Sequence, residues 1–479
     1  EHGQPDGVCG VPQHLFVARR ADPVAVLDHH DALRMRVDFD PADTGRGAGS
    51  RWALHVVEPG TVRADDRVRT IDVSRSQGGD RLRLMADHAA SARERLDLAT
   101  GNLLQVVHFP AGEGEPATIL VVAHHLAVDP VSWAALVPDL AEAYQCLHDA
   151  RPVELQPVRT SFRQWALRLR DWARAPGREP ELAYWAGLHA ESRPLFDVDA
   201  ESAGRTNADC ARVSRHVPRE VTEAVLTTAP EAFHAGVNDV LLAALTMALA
   251  QWRRGRAAGV LVDLENHGRE EEVLGGVDVS RTMGWFANMH PVLLDTGAVD
   301  RVEAMAGGPA AGQVLRQVKE RLRAVPDHGL GYGALRYLDE RGATVLAGCP
   351  QAQVGFNYLG RSSESEASGP SAAWSLLGDL SGIGGQDQDM VLPHLLEVAT
   401  VTRDGADGPR LETNWVWPRA LLDEGEVVEL ADLFGQALRV LVEHAHAPDG
   451  GGHTPSDVAL TELSQSEIDM LEAEWRNAE

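Results

Sequence analysis

Two histidines and an aspartate, His124, His125 and Asp129, directly follow the apolar run 119–123. That order sets titratable groups at the end of a strand buried on both faces. Imidazole exchanges a proton near neutral pH unaided, so the pair suits general acid–base work. Neighbouring strand residues point to opposite faces, so a strand persisting through both histidines would send one toward a pocket and the other into packing. For the same reason, and because no Cys or carboxylate cluster stands nearby at ligand spacing, the pair does not read as a metal site. Ser132 lacks the glycines of a nucleophile elbow. The competing reading of the histidines is a hydrogen-bonded structural pair. A second apolar stretch, 259–264, ends the same way, with Glu265, His267, Arg269, Glu270 and Glu271 following at once.

The elements that must hold these groups can be read from periodicity and breakers. Residues 14–17 and 51–57 read as strands. Residues 22–35 and 80–96 read as helices, with His29, His30 and Asp31 in a structural role. Strands over 102–109 and 118–123 are joined by the turn-rich PAGEGEPA. Asp129 precedes Pro130, a residue suited to the first helical position, so the aspartate is expected buried near a helix start. The helix then runs over 131–144, with Pro138 as a candidate kink. The breaker Ala175-Pro176-Gly177 falls between helical stretches 162–172 and 179–188. It sets the expected boundary between an N-terminal lobe, 1–175, and a C-terminal lobe, 176–479. The second lobe reads as helices within 217–250, the strand 259–264, a turn then a strand over 281–294, a helix at 313–324, a strand at 354–359, a strand pair at 395–403 and 410–417, and a helix at 421–445. Residues 361–370 read as a surface loop, and His444, His446 and His453 as solvated.

Composition narrows the class. With 479 residues, 44% of them hydrophobic, the chain can form two cores. A net charge of −27 argues against nucleic acid or an anionic membrane as partner, since either needs a basic face. Cys9, Cys146, Cys210 and Cys349 are scattered, as expected of reduced thiols in a cytoplasmic protein. No apolar run reaches the roughly 18 residues of a membrane span. The start, EHGQPDG, shows no signal peptide and no Met, so an excised piece of a longer chain is expected.

Five stretches carry a family resemblance. HHLAVDP (124–130) resembles the His-His-x-x-x-Asp-Gly motif of the condensation-domain superfamily of nonribosomal peptide synthetases, with Pro130 in the glycine position. LENHGREE (264–271) resembles the E-G-H-G-R-E motif of epimerization domains, with Asn266 in place of glycine. SRTMGWFANMHPV (280–292), GLGYGALRYL (329–338) and QVGFNYLGR (353–361) resemble their S-R-T-V-G-W-F-T, G-I-G-Y-G-x-L-R-Y and F-N-Y-L-G segments. HTPSDVALTELSQSEID resembles the end of such a domain, and HHDALR a structural helix of condensation-type domains. The resemblance implies an α/β fold of the chloramphenicol-acetyltransferase-like kind, two lobes in a V with a tunnel between them.

It also implies a reaction. An epimerization domain inverts the α-carbon of an aminoacyl or peptidyl thioester that arrives on the phosphopantetheine arm of a peptidyl carrier protein, among neighbouring synthetase modules. Removing a proton on one face and returning one on the other needs two acid–base groups and no cofactor of the enzyme's own. His125 and Glu265 are the expected pair; desolvation would raise the carboxyl's pKa toward the working range. His124, Asn357, Tyr358 or backbone N–H groups could steady the enolate oxygen. The family pattern gives Asp129 a structural role and pairs it with Arg281. Two alternatives stand beside this: a condensation-type catalyst forming an amide or ester from a carrier-bound acyl group, needing His125 but not Glu265, and a catalytically silent docking domain.

Overall fold

The computed structural model describes residues 13–17, 24–39, 52–76, 78–110, 117–198, 205–253, 259–363, 376–379, 387–405, 407–448, 450–458 and 463–478. The chain divides into two compact units. Unit 1 takes residues 1–172, 267–287 and 364–390; unit 2 takes 173–266, 288–363 and 391–479. The single boundary expected near residue 175 therefore gives way to five crossings. A breaker marks where an element ends, but which core a later segment joins is decided by its long-range partners, and those of 267–287 lie in unit 1.

Among the described residues, thirteen strands are numbered in chain order: β1 Gln13–Val17, β2 Met35–Phe39, β3 Trp52–Val56, β4 Val68–Thr70, β5 Leu104–Phe109, β6 Thr118–Ala123, β7 Cys210–Val217, β8 Val260–Asn266, β9 Asn288–Leu294, β10 Val354–Ser363, β11 Leu376–Asp379, β12 Leu396–Gly405 and β13 Gly408–Pro418. In unit 1 a five-stranded sheet has the order β11-β1-β6-β5-β4, and β2 and β3 form a separate ribbon. Strand β6 is buried along its whole length. Alternation sends Ile119, Val121 and Ala123 to one apolar cluster with Leu136 and Leu140, and Leu120 and Val122 to another with Met85, Ala89 and Ala92 of the helix Gly78–Glu94. This is the two-sided burial that an unbroken apolar run predicts.

The helix expected over 22–35 is broken. Val24–His29 is helical, His30 turns extended, and a short 3-10 turn, Asp31–Arg34, leads into β2. Long-range bonds outweigh helical propensity here. Buried Arg34 donates to the carbonyls of Leu27 and Val57 and to Asp31, and His30 Nε2 lies 2.8 Å from Asp139.

Unit 2 is built on a six-stranded sheet, β7-β13-β12-β10-β8-β9. Its central helix, Val237–Trp252, is apolar all round and buried from Asp239 to Ala250, as expected of a helix enclosed by other elements. Asp239 accepts from the Gly236 N–H at 2.6 Å and from Arg323 at 3.1 Å. Strand β7 corrects the helical reading at its edge: Val217 ends a strand rather than opening a helix. His444, expected solvated, is buried beside the Phe233 ring. Residues 361–363 belong to β10, while the rest of the expected 361–370 loop lies outside the described residues. Among the described residues no single helix is long and apolar enough to cross a membrane.

Candidate functional site

In unit 1 strand β6 stops at Ala123, so alternation does not carry through the histidines: residues 125–127 form a turn. The His124 N–H still donates to Leu103 O at 2.8 Å, while the Leu126 N–H donates to His124 Nδ1 at 3.1 Å. That contact makes Nδ1 an acceptor and assigns the ring proton to Nε2. Burial, and then His125 beside it, lowers the His124 pKa to about 4. His125 is lowered as well, chiefly by burial, with Asp129 pulling the other way. Both rings are thus neutral near pH 7. The Trp285 ring packs on His125 at 4.7 Å between centroids, and His125 Nδ1 is buried without a hydrogen-bond partner among the described residues.

Asp129 is 1% exposed, as its place near a helix start predicts, and its partners correct the expected pairing. Its carboxylate accepts from Arg269 Nη2 at 3.0 and 3.2 Å, from the Ser132 N–H and Oγ at 2.7 Å each, and from the Phe286 N–H at 3.3 Å. Arg269 also donates from Nη1 to Val279 O and Thr282 O and lies over the Phe286 ring. Arg281 instead pairs with Asp139, which His30 also contacts. The two arginines serve two aspartates, one at the motif turn and one in the helix Trp133–His148. Gly284, whose N–H donates to Ser132 Oγ at 3.3 Å, has to be glycine because a Cβ there would meet the Phe162 ring at 2.4 Å. Pro130, in the glycine position of the motif, is exposed within a turn, and the Asp129 contacts form around it.

In unit 2 strand β8 pairs parallel with β10 and antiparallel with β9, and it ends in Glu265 and Asn266. Glu265 is half-buried, and its carboxylate accepts from Asn357 Nδ2 at 2.6 Å. Tyr358, the next residue of β10, faces the other side and contacts Thr402 Oγ1 at 3.1 Å. Of the two expected β10 donors, the structure thus brings Asn357 to Glu265 and leaves Tyr358 elsewhere. Asn266 donates to His328 O at 3.1 Å. A further group escapes any reading of the sequence by motif: His394, 3% exposed, sits between Asp263 and Glu397. Its signal is Asp263, a charged residue inside the apolar strand VLVDLEN, which needs a partner when buried.

Residues 24–457 match the family described as Condensation domain. The chain belongs to the condensation-domain family. This condensation domain is 35% identical over 460 residues to a linear gramicidin synthase of Brevibacillus parabrevis, covering 95% of the chain and 6% of that protein. It is 33% identical to a chondramide synthase of Chondromyces crocatus, with 93% and 11% covered. It thus spans a small part of these relatives. Among solved structures it superimposes on the epimerization domain from the third module of tyrocidine synthetase B with a TM-score of 0.73, at 26% identity and covering 91% and 92% of the two chains. The first condensation domain of the CDA synthetase shares the fold, with a TM-score of 0.59 at 18% identity, covering 91% and 92%. The two-lobed α/β class of the condensation fold is therefore the class of this chain.

Proposed function

We propose that this condensation-family domain epimerizes the α-carbon of an aminoacyl or peptidyl thioester held on the phosphopantetheine arm of a peptidyl carrier protein within a nonribosomal peptide synthetase. The observation that carries this reading is the Glu265 carboxylate at the end of β8, held by Asn357. A catalyst that only joins an acyl group to an amine or hydroxyl needs one base; inversion needs two acid–base groups. The likeness to a solved epimerization domain supports the same choice.

The thioester acidifies its own α-carbon, so the reaction requires no cofactor beyond the carrier's arm. Neutral His125 and the Glu265 carboxyl can serve as the two groups, one removing the α-proton from one face while the other returns a proton to the opposite face; the reverse passage exchanges the roles. His124 is suited to a different task. With Nδ1 engaged and the proton on Nε2, it can donate a hydrogen bond to the enolate oxygen as charge develops there. Asp129 and Arg269 hold the turn that carries both histidines.

The test is solvent deuterium incorporation at the α-carbon of a carrier-bound aminoacyl thioester, with chiral analysis of the released amino acid. Expected are deuterium uptake and a mixture of configurations. An amide or ester formed with an added acceptor, with no deuterium at the α-carbon, would establish a condensation catalyst instead. Neither outcome with intact, folded protein would leave the docking role.

A further inference from the structure

Beside the Glu265–Asn357 pair, the same face of the unit 2 sheet carries a second constellation that no step above uses. Asp263 precedes Glu265 by two residues on β8, so both side chains leave one face about 6–7 Å apart. Gly355 of β10 is registered with Asp263 on one side and with Glu397 of β12 on the other. His394 lies across it, with Nε2 3.0 Å from Asp263 Oδ2 and Nδ1 2.8 Å from Glu397 Oε1. A Cβ at Gly355 would come within 2.5 Å of His394 Nδ1, so the missing side chain makes the room. Ionised carboxylates only accept hydrogen bonds; both ring nitrogens therefore donate, and the ring is an imidazolium. Desolvation works against that charge, yet Glu397 and Asp263 lift the His394 pKa to about 10. Other ionisable groups sense the cluster. His189, His290 and Tyr332 feel Asp263, and Cys210 feels Glu397. Burial lowers both histidines and raises Tyr332 to about 12 and Cys210 above the ordinary thiol range, so all four are neutral near pH 7. Arg336 donates to the Tyr332 hydroxyl at 2.8 Å, and Arg212 and Arg419 act on Cys210.

We propose that His394 is a positioning residue for Glu265: as a cation it ties β8 to β12 across β10 and cancels one of two half-buried negative charges, Asp263 and Glu397, on the sheet face of the reacting carboxyl. This rests on the reading of Glu265 as an acid–base group. Without the cation, two carboxylates stand on the face that Glu265 shares, and like charge disfavours its ionisation. A unit charge about 7 Å away, partly screened, shifts a titration by about one pH unit. Neutralising one carboxylate while keeping the imidazolium does the opposite.

The experiment follows inversion of a carrier-bound aminoacyl thioester by the whole domain from pH 5 to 9, with a thermal midpoint for each variant. In the direction in which Glu265 removes the α-proton, His394→Gln is expected to move the acidic limb of kcat up by about one pH unit, and Glu397→Gln to move it down. Opposite displacements support the proposal. A purely structural role would lower kcat or the melting midpoint and leave the limb in place, and that result overturns it. Glu397→Gln preserves shape and hydrogen bonding, so a downward shift in this variant decides the matter if His394→Gln does not fold. Glu265→Gln separates the two readings. If it inverts like wild type, Glu265 is not the reacting group and both fall; if it loses inversion while the limb stays fixed in the other variants, only the role of His394 falls.

Discussion

His124 in unit 1 and His394 in unit 2 are buried almost equally, 6% and 3% exposed, yet one is neutral and the other charged. Desolvation opposes the imidazolium in both places. At His124 the second influence is another histidine, and the motif aspartate, Asp129, is already neutralised by Arg269. At His394 two carboxylates face the two ring nitrogens, and the pKa moves up instead of down. Burial sets the cost of a charge; the number of uncommitted opposite charges within hydrogen-bond reach decides whether the ring bears it. The sites suit different work: a neutral base and donor in one unit, a fixed cation beside a carboxyl in the other.

The comparison can be broken most sharply at the acid–base groups. Glu265→Gln keeps the shape and the Asn357 contact, and inversion is expected to fall by about 10²–10⁴-fold, with some α-proton exchange surviving through His125. Equal loss of exchange and inversion would remove the two-base assignment. Next in size is the charge pair beneath the histidines: Asp129→Ala leaves Arg269 buried without its partner and is expected to cost about 3–5 kcal/mol in denaturant unfolding. A double-mutant cycle sharpens the point. Asp129 should couple to Arg269 by about 0.5–3 kcal/mol and be additive with Arg281. Strong coupling to Arg281 would restore the pairing expected from sequence.

The two histidines also predict opposite slopes of stability with pH. For His124 the folded pKa, about 4, lies below the unfolded value of 6.5. Its contribution is complete above pH 6.5 and is lost as pH falls toward 4. For His394 the folded pKa lies above 6.5, so its contribution is complete below pH 6.5 and is lost as pH rises toward 10. Each limb is expected to be worth ~1–3 kcal/mol. Unfolding midpoints of His394→Gln should be flatter than wild type on the alkaline side only. An unchanged alkaline limb would refute the charged ring. The smallest effect belongs to Pro130→Gly. The residue is exposed, and the change should cost about 0.4–1 kcal/mol through the unfolded chain, with inversion unaltered.

What could be read from the sequence were groups whose signal is local. An unbroken apolar run marks β6, and the charged residues after two such runs place His125 just past the end of β6 and Glu265 at the end of β8. The misread features depend on distant partners. His30 leaves the helical path for Asp139, and Arg269 rather than Arg281 reaches Asp129, although both arginines stand in family motifs. Strand β7 is hard to see because only its end residues are buried and Arg215 falls on the less exposed face in CARVSRHV, beside a strongly helical run. His394 follows a proline and precedes an apolar strand, and nothing next to it distinguishes it; its signal, Asp263 in an apolar strand, stands 131 residues away and is joined to it only by the register that places Gly355 between Asp263 and Glu397.

The return of residues 267–287 to unit 1 sets a timetable for the protein's birth on the ribosome. Asp129 and Arg269 are 140 residues apart. At about 5–20 residues per second, the aspartate waits about 7–28 s for its arginine. During that interval the turn bearing His124 and His125 has no counter-charge beneath it. The first lobe therefore cannot lock before much of the second has been translated, and a fragment ended at residue 172 would remain in that unfinished condition.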